Sequence, residues 1–283
     1  VKFETAAKAF TDYIKVTRSP GTQRYIRGKI NPLKKYLEGE DIESIDKFRI
    51  ISLISDIRDN NPEISNTSIN KYVSILKRVY KYVLEKDIIF DKLPETKKTV
   101  KIIEPAIQKR VFEYLEDNMD IRETFRNYVL FKLILDTGLR INEVLNLKVY
   151  DIDFETNTIH VKITKTNSER YVFFRNTTKK LLERLIVSGT LKSYIFINYK
   201  GQKPLTLGNV QNICFRLERA LNLDVHIRPH KWRHTFATEY LKRGGDLETL
   251  RLILGHTSLK TTQIYLHIDR DHLHSEYFKH MTA

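Results

Sequence analysis

Residues 228–268 read RPHKWRHTFATEYLKRGGDLETLRLILGHTSLKTTQIYLHI, and capping and period alone draw three helices through them. Pro229 suits a first helical position, which sets His230 in the first turn and Arg233 one turn later on the same side. Trp232, Phe236 and Tyr240, at i, i+4 and i+8, mark the side that packs into a core. Asp246 caps a short helix that turns Leu247, Leu250 and Leu254 inward, Gly255 ends it, and His256 falls in the turn before a helix capped by Ser258. Tyr265 lies about two turns past that cap, so it returns to the face on which Ser258 starts and approaches the turn holding His256. The bland alternative is a core helix whose polar residues merely face water. His230 and His234 at i, i+4 would also suit a metal, but no Glu follows His230 and local spacing supplies no third ligand.

Working outward, helical patterns dominate residues 106–283, near 106–118, 122–136, 140–147, 176–188, 206–221, 229–242, 246–254, 258–267 and 270–281. The exception is a small sheet. Thr158 to Ile163 alternates Ile159, Val161 and Ile163 with polar residues, Arg170 to Phe174 is β-branched and aromatic, and the two form a hairpin joined at Lys165 to Glu169. Tyr194 to Asn198 is expected as a third strand of it.

Residues 1–93 read as an all-helical unit with segments near 4–17, 22–38, 46–59 and 66–86, capped at Thr22, Asp46 and Asn66. Pro32 should kink or split the second. Arg24, Arg27 and Lys34 on the second helix, and Lys71, Arg78 and Lys81 on the fourth, lie off the apolar stripes and form two cationic faces; solvated faces that bind nothing are the plain alternative. Residues 94–105, proline-bracketed and lysine-rich, read as a linker, so the fold class expected is mainly α in two domains, with a small antiparallel β-sheet in the C-terminal one.

Composition bounds the partners. Lys and Arg number 49 against 35 Asp and Glu, giving +14 and a pI near 9.6, so a polyanion is the expected partner. The charge is not confined to one tail, being +6 before residue 100 and +8 after it. With 41% apolar residues, 10 Gly and 7 Pro, the disordered and collagenous classes are excluded. Cys214 stands alone, which excludes an intramolecular disulfide and a cysteine zinc cage and suits a reducing cytoplasm. Apolar runs such as Tyr128 to Leu135 fall short of the ~18 residues of a membrane span, and VKFETAAKAF carries no signal core, so a cytoplasmic location without membrane attachment is expected.

Four segments, DTGLRINEVLNLKVYDID at 136–153, ITKTNSERYVFF at 163–174, PHKWRHTFATEYL at 229–241 and LGHTSLKTTQIYLHI at 254–268, recur in the order and approximate spacing of the tyrosine recombinases or phage-type integrases. The chain resembles their compact Xer-like and transposon-encoded members; residues 1–93 resemble the family's core-binding domain in length and helicity. The resemblance implies a two-domain DNA clamp whose residues 106–283 are catalytic. It implies that Arg140 and Arg233 grip the scissile phosphate and that Glu143 orients Arg140. Lys165 matches the hairpin lysine that protonates the departing 5′ oxygen, although the family's flanking glycines are replaced by Thr164 and Thr166. His230 matches the residue that helps deprotonate the nucleophile, His256 a hydrogen-bond donor to the phosphate, and Tyr265 the nucleophile.

A phenol suits this chemistry because, with a pKa near 10, it attacks a phosphodiester once activated and leaves again when a DNA hydroxyl attacks back. Two guanidiniums take the place of divalent metals, so no cofactor, metal or small-molecule substrate is expected. The implied partners are double-stranded DNA and further copies of the chain, four on two sites, linked by a C-terminal helix whose Leu273, Tyr277 and Met281 form an apolar stripe; docking of that stripe on its own domain is the alternative. The implied task is integration, excision or resolution of a mobile element or replicon. A type IB topoisomerase would use similar chemistry on one duplex without such a tail, and a DNA-binding factor with a silent site would not need every catalytic position filled.

Overall fold

The computed structural model describes residues 1–95, 100–162, 169–189, 193–200 and 203–265. It divides into two compact units, Val1–Lys98 and Thr99–Ala283. No helix among the described residues is long and apolar enough to cross a membrane.

The first unit holds α1 (Phe3–Thr17), α2 (Pro20–Tyr36), α3 (Lys47–Asn60) and α4 (Asn66–Leu84) around a core that includes Phe3, Phe10, Ile26, Leu33, Leu53 and Leu76. Asp46 caps α3 as expected, accepting from the Arg49 amide at 2.8 Å. Two caps fall elsewhere. Ser65, not Asn66, accepts from the Ser68 amide at the start of α4, and α2 starts at Pro20, ahead of Thr22, because proline fits the first turn. Pro32 does not split α2: a proline in mid-helix costs ~3 kcal/mol, and burial of Ile26, Ile30 and Leu33, at about 1.5–3 kcal/mol each, outweighs it. Arg24, Arg27 and Lys71 are exposed and Lys34 partly so. Arg78 instead stacks over the Phe10 ring and Lys81 pairs with Asp87, so the two cationic faces are partly spent within the unit.

The second unit contains α5 (Pro105–Glu116), α6 (Arg122–Thr137), α7 (Ile141–Leu145), α8 (Asn176–Val187), α9 (Leu207–Ala220), α10 (Pro229–Lys242), α11 (Leu247–Leu254) and α12 (Leu259–Thr262), the last followed by a 3-10 turn, Gln263–Tyr265. Three strands, β1 (Ile152–Asp153), β2 (Thr158–Val161) and β3 (Arg170–Phe173), form an antiparallel sheet in that order. The β2–β3 register pairs Ile159 with Val172 and Val161 with Arg170, and both Ile159 and Val172 face the core. The third strand of this sheet is thus β1. Ile197–Asn198 (β4) pairs instead with Lys203–Pro204 (β5) in a separate two-stranded sheet, and Tyr194 makes an isolated bridge with Lys148, which lies outside the larger sheet. Lys165, the 270–281 helix and its Leu273, Tyr277 and Met281 stripe lie outside the described residues.

The packing of α10 on α6 positions everything that follows. Trp232, fully buried, stacks on Phe131 with centroids 4.8 Å apart and meets Phe112 edge-on at 5.6 Å. Phe236 and Tyr240 diverge from Trp232 and pack into a smaller cluster with Leu250, Leu254 and Tyr265. α6 ends at Gly138, which takes φ +63° and whose missing Cβ leaves room for the Phe236 ring. Gly138→Ala is therefore expected to combine a left-handed strain with overpacking and to lower stability by about 2–4 kcal/mol in chemical denaturation. An unchanged midpoint would contradict this account of the α6–α10 junction.

Candidate active site

Most side chains of the site stand at or near helix ends, where the backbone offers groups that no helix satisfies, and Arg170 opens strand β3. Arg140 occupies the N-cap position of α7, and Glu143, three residues on, accepts its amide at 2.7 Å. The same carboxylate takes Arg140 Nη1 at 3.0 Å and both terminal nitrogens of Arg170, at 3.0 and 2.7 Å. Arg140 Nη2 donates to the Gly255 carbonyl at 2.9 Å. Arg233, one turn into α10 and only 4% exposed, donates through Nη1 to the Gly138 carbonyl at 2.5 Å and through Nη2 to the Leu254 carbonyl at 2.6 Å. Its Nη2 also meets His256 Nε2 at 3.2 Å, while His256 Nδ1 faces the buried Thr262 hydroxyl at 3.0 Å. That pattern suits a neutral ring protonated at Nδ1, and the Thr262 hydroxyl can equally serve the other tautomer.

Tyr265 is 6% exposed, and its hydroxyl lies in hydrogen-bond contact with His234 Nδ1 at 2.8 Å. Its ring lies nearly parallel to that of His256, with centroids 6.4 Å apart. The structure thus brings Arg140, Arg233, His256 and Tyr265 together with Glu143. His230 is exposed on the first turn of α10, makes no hydrogen bond among the described residues, and lies within electrostatic reach of Arg233 and Arg140. The imidazole in contact with the phenol is His234, considered in the sequence only as a metal ligand. Arg170 and Thr262 were missed altogether. A cleft of about 860 Å³ opens beside the cluster, bounded by Arg140, Glu143 and His256 and, across it, by Lys148, His160 and Lys162. Tyr265 stands back from this cleft against His234.

Burial and mutual repulsion set the charges. Burial, then Arg140, pushes Arg233 down to about 9, which still leaves it cationic at neutral pH. Burial, then His230 and Arg233, lowers His234 to about 4; burial, then Arg233, Arg140 and Arg170, does the same to His256. Desolvation, then Arg233 and Arg140, also lowers His230. Burial raises the Tyr265 phenol, with Arg233 and Arg140 acting against it, so the hydroxyl keeps its proton at rest. Burial works to raise Glu143, but Arg170 and Arg140 outweigh it and hold the carboxylate ionised. Two guanidiniums bond this one carboxylate and Arg233 stands nearby bonded to carbonyl oxygens and His256, leaving a positive pocket suited to a tetrahedral anion.

Residues 106–272 match the family described as phage integrase family. Tyrosine recombinase XerC of Oceanobacillus iheyensis is 30% identical over 98% of this chain and 96% of its own, and tyrosine recombinase XerA of Saccharolobus solfataricus is 32% identical over 99% and 86%. Among solved structures, the Tn1549 transposon integrase in complex with transposon right end DNA superposes with a TM-score of 0.78, at 19% identity, over 97% of this chain and 98% of that one. The chain belongs to the phage integrase family, the site-specific tyrosine recombinases.

The two buried imidazoles make stability depend on pH. Both titrate near 4 when folded against an ordinary 6.5, so between these values the unfolded chain binds more protons. Stability therefore rises with pH across that window, is complete above it and is lost as pH falls through it. The melting temperature is expected to drop from pH 6.5 to pH 4, and His256→Asn to flatten the slope; equal slopes for the two proteins would contradict this.

Proposed function

We propose that the chain cuts and rejoins duplex DNA through a 3′-phosphotyrosyl intermediate on Tyr265. The observation that carries the reading is the convergence of Arg140, Arg233, His256 and Tyr265, from four separate helix ends and turns, on one positively charged pocket beside an open cleft. Arg140 and Arg233 hold the non-bridging oxygens of the scissile phosphate, where their planar forks also meet the charge that grows in the transition state. His256, switched to the Nε2–H tautomer by Thr262, adds a third donor. The Tyr265 oxygen attacks phosphorus as its proton passes to an imidazole, with His234 in contact at rest and His230 at the open edge of the pocket. The bond from phosphorus to the 5′ oxygen breaks, and that oxygen takes a proton from Lys165. A free 5′ hydroxyl of another strand then reverses the sequence, which conserves the bond energy and requires no nucleotide cofactor.

Because Tyr265 is buried and protonated at rest, DNA binding has to draw it toward the cleft. Exposed Arg24, Arg27 and Lys71, with Lys34, contribute phosphate contacts from the first unit, and Arg78 and Lys81 contribute after release from Phe10 and Asp87. Each phosphate neutralised contributes about 0.9 log unit of affinity lost per log unit of salt. A mobile element as the DNA served is supported by the likeness to a transposon integrase, and assembly of four copies on two sites rests on the apolar stripe of Leu273, Tyr277 and Met281 in the sequence.

The test is covalent capture. The full chain, mixed with a library of nicked plasmids and quenched in detergent, is expected to remain attached to DNA, and the captured fragments give the target sequence. Tyr265→Phe should capture nothing, and Arg233→Ala should slow capture roughly 10²- to 10³-fold. Capture by Tyr265→Phe at the wild-type level would refute the assignment.

A further inference from the structure

We propose that Arg170 is a positioning residue for strand cleavage: it fixes both supports of the Arg140 guanidinium and so couples the β2–β3 hairpin to the phosphate-binding pocket. The inference rests on the assignment of Arg140 and Tyr265 above. Arg170 opens β3, directly after the hairpin segment that carries Lys165, and it is 8% exposed. Its guanidinium meets Glu143 with two parallel bonds, 2.7 and 3.0 Å, and its Nε donates to the Ile253 carbonyl at 2.7 Å. It also fills the space over Gly255, where a Cβ would come within 3.0 Å of the Arg170 side chain, and Gly255 takes the left-handed φ of +62°. Arg140 is held by two partners, the Glu143 carboxylate and the Gly255 carbonyl. Arg170 thus touches the carboxylate directly and braces the turn that presents the carbonyl.

The physical consequence lies in how one carboxylate is shared. While Arg170 occupies both Glu143 oxygens, Arg140 takes a single side-chain bond from it and keeps its charge available to the cleft. Without Arg170, the desolvated carboxylate has only Arg140 to pair with; the pair closes into a fork, and the cation that the phosphate needs is neutralised. Lysine cannot replace this geometry, because one ammonium cannot span two carboxylate oxygens and the Ile253 carbonyl together. All three guanidinium nitrogens of Arg170 are taken up by Glu143 and the Ile253 carbonyl, so it acts through Arg140 and not on the DNA. It also gives the hairpin a mechanical link to the pocket: displacement of β3 moves Glu143 and the 253–255 turn with it.

A purely structural role for this buried ion pair predicts something different, and three variants separate the two. Single-turnover adduct formation on a nicked duplex of the captured sequence is measured alongside affinity for that duplex and the melting temperature. Arg170→Lys is expected to slow adduct formation roughly ten- to a hundredfold, with duplex affinity and melting temperature close to wild type. Arg170→Met should be slower still, and Arg170→Met combined with Glu143→Gln should recover part of the rate, because removing the carboxylate's charge releases Arg140. Arg170→Lys at the wild-type rate, or a double variant slower than Arg170→Met, would overturn the inference while leaving strand cleavage by Tyr265 intact. No adduct with the wild-type chain would instead overturn the cleavage reading itself, and this inference with it.

Discussion

Arg233 donates to the carbonyls of Gly138, the C-cap of α6, and Leu254, the last residue of α11, two helix ends far apart in sequence, and it does so from a site that is 4% exposed. A guanidinium without a carboxylate of its own is costly to bury, and carbonyl dipoles at helix C-termini are among the few neutral groups that offset the cost. The fold supplies them: α6 ends in a left-handed glycine that lets Phe236 close over the junction, and α11 ends in another, Gly255. The same two ends deliver Arg140 and His256. One buried charge thus fixes where α6, α10 and α11 meet, and the rest of the pocket follows from that meeting.

The pocket is also poised electrically. Beside a single ionised Glu143, burial first and then the neighbouring guanidiniums keep the imidazoles neutral, and Arg233 and Arg140 oppose the effect of burial on the phenol. Neutral imidazoles can accept a proton, and a phenol whose ionisation is disfavoured at rest does not react with stray electrophiles. An incoming phosphodiester would supply the anion that this arrangement lacks, so the charge balance that makes the empty site unfavourable makes the occupied one favourable.

What the sequence made legible follows the range of the interactions. Asp46, Asp246 and Ser258 bond amides two or three residues ahead, so their caps could be read directly, as could Gly255 and the antiparallel pairing of β2 with β3. The convergence of Arg140, Arg233, His256 and Tyr265 became legible through family motifs, since no local period links residues so far apart. The contacts left unread are tertiary. His234 reaches Tyr265 across 31 residues and Arg170 reaches Glu143 across 27, and neither stands out by spacing or composition. The third strand of the sheet was misplaced for a similar reason: 194–198 is apolar enough to be a strand, but its neighbour in space is 203–204. Pro32 shows the opposite failure, a strong local rule overridden by the apolar residues around it.

The central claim is that the Tyr265 oxygen is the atom delivered to a phosphorus held by Arg140 and Arg233. Protease digestion of the detergent-trapped complex, followed by mass spectrometry of the nucleotide-bearing peptide, reads that atom directly. The account predicts a phosphonucleotide on the peptide containing Tyr265, joined through the 3′ phosphate of the cleaved strand and leaving a free 5′ hydroxyl. Attachment at another of the tyrosines, or through a 5′ phosphate, would contradict it.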